Sequence, residues 1–182
     1  MEQTIEKYVD KITTQNKIAR KFWGLARLFL YRPFVGPLFN WWRIFILRIF
    51  GAKIGKGCVV YANTKIPAPW NLIMGDISCL GPEVELHIDK IIIGSKVTIS
   101  QRAYLCSGSH DVTSLNTPFI SAPIVIEDFV WIAAESFIMM GVTIGKGAIV
   151  GARSAVFKNV EPWSVVGGNP AKFIKKRVIK TT

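Results

Sequence analysis

An aliphatic residue recurs every six positions along most of the chain. A period of six matches neither the helical period of about 3.6 residues nor the simple alternation of a long strand. It predicts one short strand and one corner every six residues, with three strands closing each triangular coil. We therefore expect an all-β fold, a parallel β-helix of about five coils. The recurrences form four in-register blocks: Ile54, Val60, Ile66 and Leu72; Met74, Leu80 and Leu86; Ile93, Ile99 and Leu105; Ile126, Ile132, Ile138, Ile144, Val150 and Val156.

Two further features accompany this repeat. A small or β-branched residue, such as Cys58 or Ala103, stands four positions after many of the aliphatic residues. Glycine often follows the aliphatic residue directly, as at Gly55, Gly94 and Gly145. We expect the aliphatic and small residues to face the interior. Glycine would serve a bend that needs either a positive φ or a close approach of two backbones.

The repeat divides the chain into three parts. Residues 1–50 precede it, residues 51–167 contain it, and residues 168–182 form a basic tail. Residues 5–30 alternate basic and apolar positions, which predicts an amphipathic helix, and residues 38–50 predict a second, aromatic-rich helix. The helical segment either caps the open end of the prism, as a solenoid requires, or lies in a membrane surface. We favour the cap.

One long interruption of the repeat, at residues 106–123, is rich in Ser, Gly, Asn and Pro. It predicts a loop that leaves the prism, and loops on rigid scaffolds often carry catalytic residues. It contains His110, and an imidazole could act as a general base because free histidine ionises near the working pH. A surface histidine in an ordinary loop explains the same pattern equally well.

Composition narrows the possible partners. The net charge of +11 favours anionic partners: nucleic acid, a membrane face or a small polyanionic cofactor. No nucleic-acid partner is expected, because the basic residues are not interleaved with exposed aromatics in a recognised module. The three cysteines lack metal-ligand spacing and fit the reducing cytoplasm as small core residues, so we expect a cytoplasmic protein.

Several motifs together resemble those of the hexapeptide-repeat acyltransferases. The similarity is strongest to the acetyltransferases of colanic acid biosynthesis and to the maltose, galactoside and nodulation-type O-acetyltransferases, and it covers about residues 50–177. It implies a left-handed parallel β-helix, acetyl-CoA as the acyl donor and a homotrimer with active sites between subunits. The motifs are Leu105-Cys106-Ser107-Gly108-Ser109-His110-Asp111, Val130-Trp131-Ile132, Gly141-Val142-Thr143-Ile144-Gly145, Val150-Gly151-Ala152-Arg153-Ser154 and Gly168-Asn169-Pro170-Ala171.

The resemblance also implies roles for individual residues. His110 would remove the proton from an acceptor hydroxyl, which then attacks the thioester of acetyl-CoA. Asp111 could orient the imidazole or the acceptor. Glu85 and His87 match positions at the acceptor cleft, although a solvated Glu85 and a structural His87 are the simpler alternatives. The cofactor site would comprise Trp131, Ala134, Ala152, Lys158, Lys172 and Lys175.

This chain departs from the family pattern at two places. Lys172 and Lys175 stand where some members have arginine, so bidentate phosphate contacts are lost although the charge remains. Phe157 stands where several relatives have threonine, which removes one hydrogen bond to the cofactor. A solvated basic tail is the alternative to cofactor contact for these lysines.

The predicted function is acetyl-CoA-dependent O-acetylation of a sugar hydroxyl in polysaccharide or glycoconjugate biosynthesis. The alternatives are N-acylation of an amino sugar and a non-catalytic, membrane-associated scaffold. A lipid-linked sugar acceptor would place the enzyme at the inner face of the membrane. No metal is expected, because the zinc site of the γ-class carbonic anhydrases, which share the β-helix, needs three histidines and this chain has two.

Overall fold

A computed structural model describes residues 13–179 of the 182-residue chain. Two short helical segments precede a parallel β-solenoid of about six turns, so the all-β prediction is confirmed with one turn more than expected. The beginning of the predicted first helix and Lys180 of the tail lie outside the described residues.

The first helical segment comprises α1 (Thr14–Ala26) and a π-helical turn (Arg27–Tyr31). The Thr13 side chain caps α1 by accepting a hydrogen bond from the backbone N–H of Asn16 at 3.3 Å. A short 3-10 turn (Pro37–Phe39) then leads into α2 (Asn40–Ile49). None of the helices among residues 13–179 combines the length and apolarity that crossing a membrane requires.

The strands are short and follow one another around three sides of a prism. In chain order they are β1 (Lys53–Ile54), β2 (Val59–Val60), β3 (Leu72–Met74), β4 (Cys79–Leu80), β5 (Glu85–Leu86), β6 (Ile91–Ile93), β7 (Thr98–Ile99), β8 (Tyr104–Cys106), β9 (Gly108–His110), β10 (Phe119–Ser121), β11 (Ile124–Ile126), β12 (Trp131–Ile132), β13 (Phe137–Met139), β14 (Thr143–Ile144), β15 (Ile149–Val150), β16 (Ala155–Val156), β17 (Ser164–Gly167) and β18 (Lys172–Lys176).

Each side of the prism is a parallel sheet of strands from successive coils. The first side contains β1, β3, β6, β11 and β14; the second contains β2, β4, β7, β12, β15 and β17; the third contains β5, β8, β13 and β16. Part of the predicted basic tail is a strand, because β18 pairs antiparallel with β17 at the edge of the second side.

The interior of the prism is filled by the aliphatic residues of the repeat. All sixteen are at most 7 % exposed, and they stack in register from coil to coil. On the first side the register aligns Ile54, Met74, Ile93, Ile126 and Ile144. The irregular spacing of these five has a structural cause. The slips in the repeat are short insertions at corners, such as the 3-10 turn Pro69–Asn71, and the long gap before Ile126 is the excursion.

The glycines of the repeat are explained by close approach of successive coils. A Cβ on Gly94 would lie 2.5 Å from Oδ1 of Asp128, whose carboxylate accepts a hydrogen bond from the Ser95 backbone N–H. The positive φ falls two residues later in the corner, at residues that are mostly not glycine, including Lys96 and Phe129. Of the two expected reasons for glycine, a positive φ or a close approach of two backbones, the close approach applies at Gly94.

The helices cover the first coil by completing its hydrogen bonds. Along the prism, the backbone N–H groups of each coil donate to carbonyl groups of the next coil, as Gly55 does to Met74. The first coil has no coil before it, so its own outward carbonyls need other donors. Arg48 donates to the carbonyl of Ile54, Arg43 to that of Val60 and Trp23 to that of Ile66. One helical side chain thus serves each side of the prism.

The cysteines differ in burial. Cys58 is buried and its thiol donates to the carbonyl of Gly75, as expected for a small core residue. Cys79 and Cys106 are only half-buried, because they occupy strand positions that alternate with the inward-facing Leu80 and Leu105. The expectation that all three are core residues was wrong for these two.

Candidate active site

The excursion predicted at residues 106–123 forms an antiparallel hairpin. Strands β9 and β10 pair His110 with Phe119 and Gly108 with Ser121. Ser107 holds its base, because its carbonyl accepts from the Ala122 N–H and its hydroxyl accepts from the Asp89 N–H. The hairpin leaves the prism at the corner between the third and first sides.

His110 lies at the outer end of this hairpin with its ring exposed. Its Nδ1 is 2.7 Å from the backbone carbonyl oxygen of Thr117. A carbonyl oxygen can only accept, so Nδ1 carries a proton, and in the neutral ring Nε2 then presents a lone pair. The ring of Phe119 meets the imidazole edge-on at 5.8 Å between centroids. The imidazole is thus held in the tautomer that a general base requires.

Asp111 is engaged with its own loop. Its Oδ1 accepts hydrogen bonds from the Thr113 N–H at 2.9 Å and from the Thr113 hydroxyl at 2.7 Å. These bonds favour the charged form, and the hydroxyl contributes most to holding the pKa of the Asp111 carboxyl below its usual value. Both hydrogen bonds to this carboxylate come from Thr113, so they stabilise the turn after His110. Neither of them orients the imidazole.

His87 and Glu85 lie on the third side, beside the base of the hairpin. The His87 ring packs against Tyr104 and Phe119, and its Nδ1 is buried without a hydrogen-bond partner. Burial is the main cause of a lowered pKa for His87, and the charge of Arg20 adds to it. Glu85 forms an ion pair with Lys65 at 2.7 Å. His87 is therefore a half-buried neighbour of the hairpin whose neutral form is favoured, and Glu85 is a paired, half-exposed carboxylate.

Two residues that the sequence did not single out shape this region. Phe119 contacts the rings of both His87 and His110. Arg20 of α1 lines a groove of about 470 Å³ together with Phe119, Asn16 and Asp89. The only signal for either residue was its type: an aromatic residue within a polar loop, and a cation on an amphipathic helix.

Trp131, Ala134 and Ala152 lie on the second side and at the corner that follows it. The Trp131 ring is 45 % exposed, and its Nε1 donates to the Ser100 hydroxyl at 3.0 Å. Ala134 and Ala152 occupy the same corner on successive coils, as the bond from the Arg153 N–H to the Ala134 carbonyl shows. Their small side chains leave the backbone along this corner accessible to a narrow ligand.

The predicted phosphate-binding lysines lie near the C-terminal end of the prism and are exposed. Lys158 and Lys172 line one cleft of about 570 Å³ with Phe157 and Phe173. Lys175 is on the same strand as Lys172 and pairs with Val165 in the sheet register. The structure thus brings two of the three lysines to one cleft and places the third on its bordering strand.

One chain does not bring His110 next to Trp131. The hairpin leaves the corner between the third and first sides, whereas Ala134 and Ala152 follow the second side. The third side separates the two corners by about 15 Å at about 3.3 Å per residue. Among residues 13–179 no group of three or more His, Cys, Asp or Glu side chains is placed to hold a metal ion.

Comparison with known proteins identifies the family. No family model matches the chain. WcaF of Escherichia coli (strain K12), assigned as a colanic acid biosynthesis acetyltransferase, is 45% identical over 159 residues, which cover 86% of each chain. The chain belongs to the hexapeptide-repeat acetyltransferases.

Solved structures place this acetyltransferase in the same fold. A hexapeptide-repeat-containing acetyltransferase from Vibrio cholerae is 27% identical, with a TM-score of 0.82 over 90% of this chain and 93% of that one. The same Vibrio cholerae enzyme complexed with acetyl-CoA aligns with a TM-score of 0.81 and 25% identity over 95% of this chain and 94% of that one. The expected family and enzyme class, acyltransferase, are both confirmed.

Proposed function

We propose that the protein transfers an acetyl group from acetyl-CoA to a sugar hydroxyl in polysaccharide or glycoconjugate biosynthesis. The observation that carries this proposal is the contact of His110 Nδ1 with the Thr117 carbonyl, which leaves Nε2 of the neutral ring as the acceptor on an exposed hairpin. The acetyl-CoA complex of the Vibrio cholerae relative supports the donor. The name of WcaF supports a polysaccharide acceptor.

The reaction needs no covalent enzyme intermediate. His110 Nε2 accepts the proton of the acceptor hydroxyl as its oxygen attacks the carbonyl carbon of the thioester. The new C–O bond forms, the C–S bond breaks, and the proton passes from Nε2 to the sulfur of CoA. Throughout, the Nδ1 hydrogen bond to the Thr117 carbonyl stabilises the imidazolium and keeps its orientation.

We propose that the donor lies along the corner formed by Ala134 and Ala152, with Trp131 at its entrance. Acetyl-CoA is polyanionic, and the exposed Lys158 and Lys172 are cations at the end of the same prism. Lysine meets phosphate as a point charge, so these contacts suit a flexible phosphate arm.

The hairpin of His110 leaves one corner of the prism, and Ala134 and Ala152 lie at another, so we propose that a second subunit completes the site. In a cyclic trimer the hairpin of one subunit would reach the cofactor corner of its neighbour. Such an arrangement predicts complementation. Subunits carrying His110→Gln and subunits carrying Trp131→Ala, each weakly active alone, should recover about a quarter of normal activity when coexpressed and randomly assorted. Activity that never exceeds the mean of the two parent proteins would contradict the shared site.

The central test is His110→Gln in an assay that detects the free thiol of CoA. The full chain is supplied with acetyl-CoA and a panel of hexoses, 6-deoxyhexoses, uronic acids and amino sugars. Loss of a general base should lower turnover by about 10²–10⁴-fold. Thr117→Asn is the matched control, because the Thr117 hydrogen bond uses the backbone carbonyl and asparagine tolerates the positive φ there.

The chemical nature of the product separates the acceptor classes. An acetyl ester is cleaved by hydroxylamine, whereas an amide is not, so the product identifies O- or N-transfer. Undiminished turnover by a folded His110→Gln variant would exclude His110 as the base. A product that resists hydroxylamine would be an amide, which would show that the acceptor group is an amine and not a hydroxyl.

A further inference from the structure

Large apolar side chains on the N-terminal helices face away from the prism. Those of α1 and its π-helical turn follow at intervals of four, three and four residues, which places them on one helix face. A second row runs from the 3-10 turn along α2. Each of these side chains is at least 48 % exposed: Ile18, Phe22, Leu25 and Phe29 in the first row, and Leu38, Trp41, Phe45 and Ile49 in the second.

Trp42 joins the two rows into a single surface. Its indole Nε1 donates to the Leu30 carbonyl at 2.7 Å, so α2 is tied to the turn that ends the first segment. Its ring lies 5.8 Å from that of Trp41 and 5.7 Å from that of Phe45. We call the surface formed by both rows and Trp42 the apolar face.

The apolar face is not what covers the prism. Trp23 and Leu47 fill the inward side of the helices with at most 2 % exposure. Trp23, Arg43 and Arg48 supply the hydrogen bonds to the first coil. Capping therefore uses the opposite side of the helices and leaves the apolar face unexplained. An exposed apolar surface of this extent indicates an interaction site for a protein or a membrane.

The distribution of charge around the apolar face indicates which kind of partner it binds. Between residues 11 and 75 the chain has eleven Lys and Arg residues and no Asp or Glu. The remainder has twelve basic residues, 23 minus 11, and all twelve acidic ones. The whole net charge of +11 is therefore concentrated in the helices and first coils. Lys17 and Lys21 are exposed on α1 beside the first apolar row.

From the apolar face and its cationic surroundings, we propose that the helices dock this protein on the surface of a lipid bilayer rich in anionic lipid. Phe and Trp side chains enter the boundary between headgroups and acyl chains, and the flanking lysines and arginines meet the lipid phosphates. A two-fold contact with a second copy is disfavoured, because it would oppose two regions of the same positive charge.

A cleft beside the apolar face adds a contact for a lipid headgroup. It has a volume of about 560 Å³ and lies between the linker after the π-helical turn and the first coil, with Val35, Asn40 and Tyr61 in its walls. Arg32 is exposed at this cleft. Its guanidinium is thus at the apolar boundary, where it can donate to the phosphate of a lipid whose chains contact Val35. This docking does not depend on the acetyl transfer proposed above.

The test is co-sedimentation of the full chain with sucrose-loaded vesicles of phosphatidylcholine, with or without phosphatidylglycerol. We expect binding to the anionic vesicles that weakens severalfold in high salt. The double variant Leu25→Glu with Leu38→Glu should bind at least about tenfold more weakly, since it removes two apolar anchors and adds two negative charges. The matched control, Val112→Glu with Leu115→Glu, changes two apolar residues of the excursion that are at least as exposed, and it should bind like the unaltered chain.

Four results would overturn the proposal. The unaltered chain could fail to bind anionic vesicles, or could bind neutral vesicles equally well. The two double variants could lose binding equally, which would show that total charge rather than the apolar face decides. Light scattering could show that Leu25→Glu with Leu38→Glu separates subunits, which would make the apolar face an interface between copies. Circular dichroism of both variants establishes that they fold.

Discussion

Leu80 and Leu115 are the same residue type in opposite situations. Leu80 lies inside the prism with no exposed surface, stacked between Val60 and Ile99 of the adjacent coils. Leu115 is 82 % exposed near the tip of the excursion. The coils are specified by residues that pack against their own repeat, so each position constrains the next. The excursion is attached at its base, by the hydrogen bonds of Ser107 and by the packing of Phe119 on His87, and its outer part is free to carry chemistry.

The first prediction tests this contrast with one substitution at two places. Leu80→Ala should lower the free energy of unfolding by about 2–5 kcal/mol, because it leaves a cavity in a closely packed stack. Leu115→Ala, which removes the same atoms from an exposed position, should change it by no more than about 0.5 kcal/mol. Denaturant unfolding followed by circular dichroism measures both. Equal losses would mean that the excursion is as firmly packed as the coils.

The second prediction concerns Gly108, where the excursion meets the prism. A Cβ there would lie 2.6 Å from Cζ of Phe119 and 2.8 Å from the His87 ring. Gly108→Ala should therefore displace Phe119, which contacts His110, and lower kcat/KM by about 10–100-fold. It should also cost about 1–3 kcal/mol of stability through overpacking.

Gly24→Ala is the control for that substitution. Nothing lies within 4 Å of a Cβ on Gly24, which is inside α1. The change should stabilise the protein by about 0.4–1 kcal/mol and leave catalysis unaltered. If Gly108→Ala behaved like Gly24→Ala, the tight packing of the two histidine-bearing segments would have no role in catalysis.

The same contrast explains how far the sequence predicts the fold. Inward positions such as Leu80 and Ile132 recur with the period of the coil, so the sequence alone identifies the prism and its interior. The break in the period also locates the excursion. The period cannot show contacts between segments that do not repeat. The contacts of the N-terminal helices with the first coil are an example. The indole of Trp23 donates to the Ile66 carbonyl 43 residues later in the chain.

The sequence predicts the candidate site only in part, as it does the fold. A lone histidine in a polar loop was recognisable, but its tautomer depends on the Thr117 carbonyl seven residues later, which only the hairpin brings near. Phe119 was missed because an aromatic residue in a loop has no periodic signal. The assignment of Trp131, Ala134 and Ala152 to the cofactor remains a prediction, since it rests on similarity to the family and on an accessible corner.

The smallest expected effect separates Asp111 from His110. Asp111→Asn keeps an oxygen that can accept the hydrogen bonds of Thr113, so the turn should persist. We expect kcat/KM to fall by less than about fivefold, because loop geometry rather than direct catalysis is altered. The measurement is the pH profile of kcat/KM for both proteins, with free CoA thiol as the readout.

The acid limb of that profile decides the role of Asp111. If the carboxylate faced the imidazole, its charge would favour the protonated ring, and removing it would shift the limb to lower pH by about one unit or more. We expect no shift of the acid limb, because the Asp111 carboxylate accepts its hydrogen bonds from Thr113. Its own ionisation does not interfere. The folded pKa of Asp111 lies below the unfolded value near 3.8, so any stabilisation is complete above that pH and is lost only as the pH falls through the folded pKa. A shifted limb would therefore make Asp111 a positioning residue for His110.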